Sequence, residues 1–270
     1  MKPLKIGVIG LGAIGSRLVE ILSREFHRQG RIAYLCDLRK EKILEIRKKF
    51  APQARALSWQ RLVASSDLVI ETASQEIAFP VAQRALRLNK QVLILSVGGL
   101  LAAKDLASLL EKTKGRLWIP SGALAGIDGI LAAGAGTLRQ VTLTTRKPVR
   151  GLEGAPYLNE KGIRLDAIKK PTLIFEGNAL EAIRAFPKNV NVAATLALAG
   201  VGAEKTRVRV FASPTYRENQ HEVVAEGDFG TLRAEVRSRP SASNPKTSEL
   251  AILSAVATLR KIFSRIHLGS

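Results

Sequence analysis

The chain reads as an α/β protein: a doubly wound parallel sheet occupies residues 1–120, and a second, α+β domain with a mostly antiparallel sheet follows. Three observations predict this. Gly10, Gly12 and Gly15 follow a buried-strand pattern and open a helix. Short apolar runs then alternate with helical patterns as far as Pro120, and from about Arg139 longer strands alternate strictly between apolar and polar residues.

The first strand runs through Lys5-Ile-Gly-Val-Ile into the glycines, whose spacing suits a tight turn, a backbone close enough to touch a pyrophosphate, and a helix packed hard on its strand. That helix is expected to start near Ala13. The backbone of Gly12, Ala13, Ile14 and Gly15 then lies at the positive end of a helix dipole, where an anion is stabilised without a charged side chain. Ile14, Leu18, Leu22 and Phe26 recur at helical spacing and are expected to face the sheet. A second strand, Ile32 to Cys36, ends at Asp37, 22 residues beyond Gly15, close to the spacing of an acid that binds ribose hydroxyls. A dinucleotide in a Rossmann-type domain is the expected ligand. Asp37 favours NAD, while Arg39 and Lys40 could neutralise a 2′-phosphate and leave NADP open.

A basic helix (Glu41 to Phe50), a short helix led by Ser58, a strand from Leu68 to Thr72, a helix from Phe79 to Leu88 and a strand from Gln91 to Ser96 continue the alternation. A helix from Ala102 to Lys114, with Gly115 as its C-terminal cap, and a strand from Arg116 to Pro120 complete it. Ligands of such sheets lie beyond the carboxyl ends of the strands, where Ala73, Ser74, Ser96, Val97 and Gly98 stand. Small side chains there let a nicotinamide ribose reach the backbone, and they equally suit ordinary turns.

In the second domain, 121–245, Val208 and Val210 alternate with Arg207 and Arg209, and Leu232, Ala234 and Val236 with Thr231, Arg233, Glu235 and Arg237. Gly227-Asp-Phe-Gly230 is the expected turn from the strand Gln220–Glu226 into the last of these. The stretch Gly151 to Lys170 reads as a basic surface excursion. A final helix, Lys246 to about Ile266, carries Leu250, Leu253, Val256, Leu259 and Phe263 at core spacing and is expected to pack back on the first domain.

The chain has 270 residues, of which 46% are hydrophobic, enough for two modest domains or one large one with ample core. Its single cysteine, Cys36, excludes an internal disulfide and a cysteine metal cluster, and no metal is expected. Met1-Lys-Pro-Leu-Lys runs straight into the first strand and no apolar run reads as a membrane span, so a soluble cytoplasmic protein is expected. A net charge of +19 raises nucleic acid as a partner. The basic residues are nevertheless scattered, without an arm or tail, and the 5% of aromatic residues do not interleave with them, which argues against it.

His221, in Asn219-Gln-His-Glu-Val-Val, is the first catalytic candidate among three histidines. By strand parity it shares a face with Val223 and Ala225, opposite Glu222 and Glu226, and could point toward the cofactor domain. An imidazole there can relay the proton that amine or alcohol oxidation releases, or it can be an ordinary hydrogen-bonded sheet histidine. Ser121, Lys188, Asn189, Lys246 and Thr247 are candidates for a dianionic substrate, which needs cations and N–H or O–H donors; each could equally be a surface cap or ion pair.

With Pro120-Ser-Gly-Ala-Leu-Ala-Gly-Ile-Asp128, Phe186-Pro-Lys-Asn-Val-Asn-Val-Ala193 and Asn244-Pro-Lys-Thr-Ser248 added, nearly the whole chain resembles the aspartate dehydrogenase family. Gly151 to Lys170 lies outside that resemblance. The resemblance implies His221 as the active-site histidine and Ala125 and Asn191 as cofactor contacts in the second domain. It also implies NAD(P)-dependent oxidation of L-aspartate to iminoaspartate, then oxaloacetate and ammonia, a link to NAD biosynthesis, and a homodimer. Other readings are a dihydrodipicolinate reductase-like or homoserine dehydrogenase-like oxidoreductase, and a non-catalytic dinucleotide or nucleic-acid binder that exploits the positive charge.

Overall fold

Strands of two to seven residues, apolar at their centres where they are buried, build the first sheet of the computed structural model, which describes residues 3–101, 103, 105–187, 191–241, 244–266 and 269, and the backbone alone of 240, 241 and 244–247. The elements are β1 (Leu4–Ile9), α1 (Ala13–Glu25), β2 (Gly30–Cys36), α2 (Lys40–Phe50), β3 (Arg55–Ala56), α3 (Trp59–Ser65), β4 (Leu68–Glu71), α4 (Gln75–Arg87), β5 (Gln91–Ile94), α5 (Gly98–Leu101), α6 (Leu106–Lys112) and β6 (Arg116–Trp118). The order β3-β2-β1-β4-β5-β6 is parallel throughout, and it reverses direction beside β1, where a crevice opens at the strands' carboxyl ends. Both faces are covered, as a parallel sheet requires. Ile6, Val8, Leu18, Leu22, Leu35 and Ile70 share one core with Ala255, Val256 and Leu259, while Ile9, Leu62, Val69, Val81, Val92 and Ile94 form the other.

The elements depart from expectation where side chains outside the apolar pattern decide. The fourth helix starts at Gln75 rather than Phe79, because the Glu71 carboxylate accepts the N–H groups of Ala73 and Ser74 and turns the chain into the helix early, leaving Pro80 inside it. Of the helix expected over 102–114, α6 covers Leu106–Lys112, and the separate short α5 precedes that range. Gly115 does not cap: a Cβ there would lie 2.8 Å from Leu86 Cα and 2.9 Å from the Lys90 carbonyl, so its smallness serves close packing. The two-residue β3 was too short to read.

The second unit comprises α7 (Ile127–Gly134), β7 (Leu138–Pro148), α8 (Pro156–Glu160), β8 (Thr172–Asn178), α9 (Ala179–Ala185), α10 (Asn191–Ala199), β9 (Thr206–Ser213), β10 (Asn219–Gly227), β11 (Gly230–Ser238), β12 (Pro240–Ser241), β13 (Asn244–Ser248) and the start of α11 (Glu249–Phe263). The units are Met1–Pro120 with Ala255–Arg265, and Ser121–Ser254 with Ile266–Ser270. The second sheet has the order β11-β10-β7-β9-β8 and is antiparallel except for the parallel β7–β9 pair. Its alternation is as expected: Val208 and Val210 are buried while Arg207 is exposed, and Asp228-Phe229 forms the turn between β10 and β11.

The segment 151–170 is anchored rather than free. Leu152, Ala155 and Leu158 are buried, and Tyr157 packs against Phe175 and Phe186 with ring centroids 5.3 and 5.5 Å away. The last helix begins at Glu249, since 244–248 pair as a strand, and Leu253 is 52% exposed where Ile252 and Ala255 are buried. The expected positions Val256 and Leu259 are in the core, and only Leu253 falls off the buried stripe.

Candidate active site

The carboxyl ends of β1, β2, β4 and β5 gather the glycine loop, Asp37, Ala73, Ser74 and Ser96–Gly98 on one rim of the first unit. Gly10 has φ +89°, and a Cβ on it would come within 2.7 Å of Ala73 N and Cα. At Gly15 a Cβ would lie 2.0 Å from the Gly10 carbonyl oxygen and 2.6 Å from Thr72 Oγ1, so α1 can pack here only without one. Thr72 Oγ1 donates to that same carbonyl at 2.7 Å, and Thr72 N donates to Ile9 O at 2.9 Å, which ties the loop to β4. Gly12, the N-cap of α1, brings no side-chain cap, and no acidic residue stands in the first turn. The helix end is thus open to an anion, and Gly12, Ala13 and Ile14 are half-buried rather than covered.

Asp37 closes the rim on the β2 side. Its Oδ2 accepts Leu11 N at 2.6 Å, and its Oδ1 accepts Arg39 N at 2.9 Å and Arg39 Nε at 3.3 Å. Burial pushes this carboxyl up, but the backbone donors of Arg39 and Leu11 and the guanidinium outweigh it and hold the group below the usual carboxylate range. An ionised acid beside a glycine loop and an uncapped helix end suits a dinucleotide's ribose and pyrophosphate.

The organiser on the other side is Glu71, a residue missing from the sequence candidates. Fully buried at the end of β4, it accepts Ala73 N (2.7 Å), Ser74 N (3.1 Å) and Ser96 Oγ (3.0 Å) on Oε1 and Ser96 N (3.1 Å) on Oε2. Burial pushes its carboxyl above the ordinary value against the pull of those donors. The serine hydroxyl of Ser96 is thereby engaged inside the protein, Val97 is 2% exposed, and a Cβ on Gly98 would strike Gln75. Ala73 and Ser74 are the exposed members. An acid closing a buried strand, in Leu-Val-Ile-Glu, was the available signal.

In the second unit, register places His221 opposite Thr145 and against Val236, on the buried face with Val223 and Ala225. His221 is 4% exposed, and its Nδ1 lies 3.1 Å from Thr145 Oγ1. Lys147, two residues further along the same face of β7, is 5% exposed. Burial first, and the Lys147 charge second, push His221 down to about 3, and burial pushes Lys147 down to about 8. Asn219 pairs in register with Ser238, both buried, and the Ser238 hydroxyl hydrogen-bonds that of Ser248. The apolar face formed by Val141, Leu143, Val208, Val223 and Ala225 therefore turns polar at one end. On the opposite face Glu222 pairs with Arg146 at 2.9 Å and Arg233 at 2.6 Å. Lys147 and Thr145 were missed, although the parity of Val141, Leu143, Thr145 and Lys147 put a cation in an apolar register.

Ala125 is exposed just before Gly126 (φ +80°) and α7, and Asn191 is exposed as the first residue of α10, which packs against α7. Ser121 is half-buried at the start of the same loop. Lys188 and Asn189 lie outside the described residues, as do the side chains of Lys246 and Thr247, whose backbone is in β13. Among the described residues no group of three or more His, Cys, Asp or Glu could hold a metal ion, and no helix is long and apolar enough to cross a membrane.

Residues 128–262 match the family model described as aspartate dehydrogenase, C-terminal, and 10–120 that of the homoserine dehydrogenase NAD-binding domain. The L-aspartate dehydrogenase of Methanosarcina barkeri is 46% identical over 273 residues, covering 99% of this chain and 100% of that protein. That of Bradyrhizobium diazoefficiens is 35% identical, covering 99% and 94%. The crystal structure of aspartate dehydrogenase from Thermotoga maritima superposes with a TM-score of 0.76 at 26% identity, covering 99% of this chain and all of that one. Scyllo-inositol dehydrogenase from Lactobacillus casei, solved with NAD(H) and scyllo-inositol, shares the fold at 15% identity and a TM-score of 0.55, covering 99% and 91%.

If Glu71 holds the rim together, Glu71→Gln puts an amide donor where Ser96 N or Ala73 N needs an acceptor. Dinucleotide affinity by calorimetric titration is expected to fall at least 10-fold, and urea unfolding to show a loss of about 1–3 kcal/mol. Unchanged affinity would assign the loops' positions to other contacts.

Proposed function

The chain belongs to the L-aspartate dehydrogenase family and is an oxidoreductase of that amino acid with a nicotinamide dinucleotide cofactor, and from this we propose how its own residues serve the reaction. A nicotinamide dinucleotide held by the glycine loop and Asp37 would supply the hydride acceptor for the α carbon of L-aspartate, so that the reaction yields iminoaspartate and, with water, oxaloacetate and ammonia. The substrate ammonium must first lose a proton, and we assign its acceptor as His221 Nε2. We assign the tautomer in which Nδ1–H donates to Thr145 Oγ1 across their 3.1 Å contact, which fixes the ring and leaves the Nε2 lone pair to accept. A depressed histidine is neutral at working pH. Gly10, Gly12, Ala13, Ile14, Gly15, Asp37, Ala73, Ser74, Ser96, Val97 and Gly98 are our assignment for the cofactor in the first unit, with Ala125 and Asn191 in the second. Ser121, Lys188, Asn189, Lys246 and Thr247 are our candidates for the substrate carboxylates.

What carries this reading is a single histidine locked to a threonine on the buried face of the second sheet of an aspartate dehydrogenase. The test is reduced-nicotinamide absorbance with L-aspartate against glutamate, alanine and malate. Aspartate alone is expected to give a rate, and His221→Ala to lower kcat by roughly 10²- to 10⁴-fold with KM for the dinucleotide unchanged. Wild-type kcat in that variant would remove His221 from the proton path and leave the substrate assignment standing.

NAD is our preferred cofactor, because ionised Asp37 repels a 2′-phosphate while Arg39 is drawn to Asp37. The KM for NAD is expected to lie at least about 10-fold below that for NADP, and Asp37→Ser to narrow the gap. A lower KM for NADP would reverse the preference.

We further propose a cytoplasmic homodimer whose iminoaspartate feeds NAD biosynthesis. The exposed side of the second sheet, with Arg233, Glu235 and Arg237 along edge strand β11, is the surface we assign to the partner copy. Light scattering is expected to give twice the 29.2 kDa chain mass, and the monomer mass would exclude the dimer.

A further inference from the structure

We propose that the Asn219 carboxamide holds the side-chain carboxylate of the substrate and so makes the second unit selective for a four-carbon dicarboxylic amino acid. The inference deepens the reading above and rests on it for the identity of the substrate. Asn219 opens β10 and pairs in register with Ser238, while His221, two residues on, pairs with Val236. Strand parity puts both side chains on the buried face, with about 7 Å between their backbone positions. The side-chain carboxylate of aspartate stands one carbon further from the amine than the other carboxylate does. The offset therefore lets the amine meet the imidazole while the far carboxylate meets the amide.

Asn219 differs from its polar neighbours in what its side chain bonds. The Thr145 hydroxyl is engaged with His221 and that of Ser238 with Ser248, and Lys147 also has an interaction within the protein. Asn219 is 6% exposed, yet its carboxamide makes no hydrogen bond to a described residue. A polar group so buried is normally paired, because losing water without gaining a partner costs free energy. Nor is the amide sealed in: among the described residues, the enclosed side-chain atoms without a partner are Arg47 Nε and Arg209 Nε. The amide thus offers its N–H donors to a group that arrives from outside. With the substrate amine assigned to His221, the groups left to recognise are carboxylates, which only accept hydrogen bonds and bind an amide N–H more strongly than a neutral acceptor does.

The test compares Asn219→Ala, which removes the amide, with Asn219→Asp, which keeps its shape and replaces the donor with a negative charge. In Asn219→Ala the KM for L-aspartate is expected to rise at least about 10-fold, with kcat within about 3-fold and the KM for NAD unchanged, since a contact kept through the transition state moves KM alone. Asn219→Asp is expected to raise that KM at least about 100-fold, because two carboxylates then face each other. The preference for L-aspartate over L-asparagine, which lacks the second carboxylate, is expected to shrink at least about 10-fold in Asn219→Ala. Succinate, a non-reacting dicarboxylate, is expected to raise the melting temperature of the NAD-saturated wild type and of neither variant. An unchanged aspartate KM in Asn219→Ala, or an unchanged preference over asparagine, overturns the proposal. A tighter grip on aspartate in Asn219→Asp than in Asn219→Ala also overturns it, by making the amide an acceptor for the ammonium. Should Asn219→Ala not fold, Asn219→Ser carries the comparison in its place, with the same direction expected. Failure of wild type to oxidise aspartate would strike the substrate reading alone, since the succinate shifts still report on Asn219.

Discussion

Everything at the cofactor end hangs on the absence of one methyl group. Between Gly15 Cα and the Gly10 carbonyl there is no room for a Cβ, and the same carbonyl accepts the Thr72 hydroxyl. That one oxygen therefore joins the end of β1, the first turn of α1 and the end of β4. Because the helix can come so close, its uncapped N-terminus faces the space above the strands, and because β4 is held there, the Glu71 carboxylate sits where it can gather Ala73, Ser74 and Ser96. A larger residue at Gly15 would push the helix away and loosen each of these in turn.

The two units treat buried charge in opposite ways. Glu71 is surrounded by donors from two backbone segments and a hydroxyl, so the charge is spread over four hydrogen bonds and works as a structural node. At His221 burial comes first and the charge of Lys147 second, and both push the imidazole toward neutrality, while Lys147 is itself pushed down by burial. Glu71 thus gathers donors around an acid, whereas the second sheet sets an imidazole and an ammonium on one buried face.

Periodicity made most of the first unit legible. Continuous apolar runs such as Leu68-Val-Ile belong to strands covered on both sides, and the glycine spacing with Asp37 picked out residues that the fold gathers at the carboxyl ends of β1 and β2. The misses came where one polar contact overrode pattern: Glu71 started a helix four residues early, and Gly115 was read as a cap when it was needed for close packing. In the second unit His221 stood out as a rare residue type, while Lys147 was hidden among 42 lysines and arginines, most of which face solvent. Only its parity with Val141 and Leu143 set it apart, and parity is readable only once the strand's bounds are known. The stretch 151–170 looked like surface because its polar residues outnumber its anchors, yet Leu152, Leu158 and Tyr157 suffice to pin it.

Neighbouring residues of β10 show why register governs the chemistry. His221 and Glu222 are adjacent in sequence and point to opposite faces, one into an apolar layer beside a lysine and the other into a pair of arginines. A slip of one residue would exchange them, placing a carboxylate against Lys147 and an imidazole between Arg146 and Arg233. What prevents the slip is the rest of the strand: Val223 and Ala225 are buried to within 1%, and the Asp228-Phe229 hairpin fixes the pairing of β10 with β11 from one end. The same phase sets the ion pairs on the far face, so apolar burial and one hairpin fix the surroundings of both His221 and Glu222 at once.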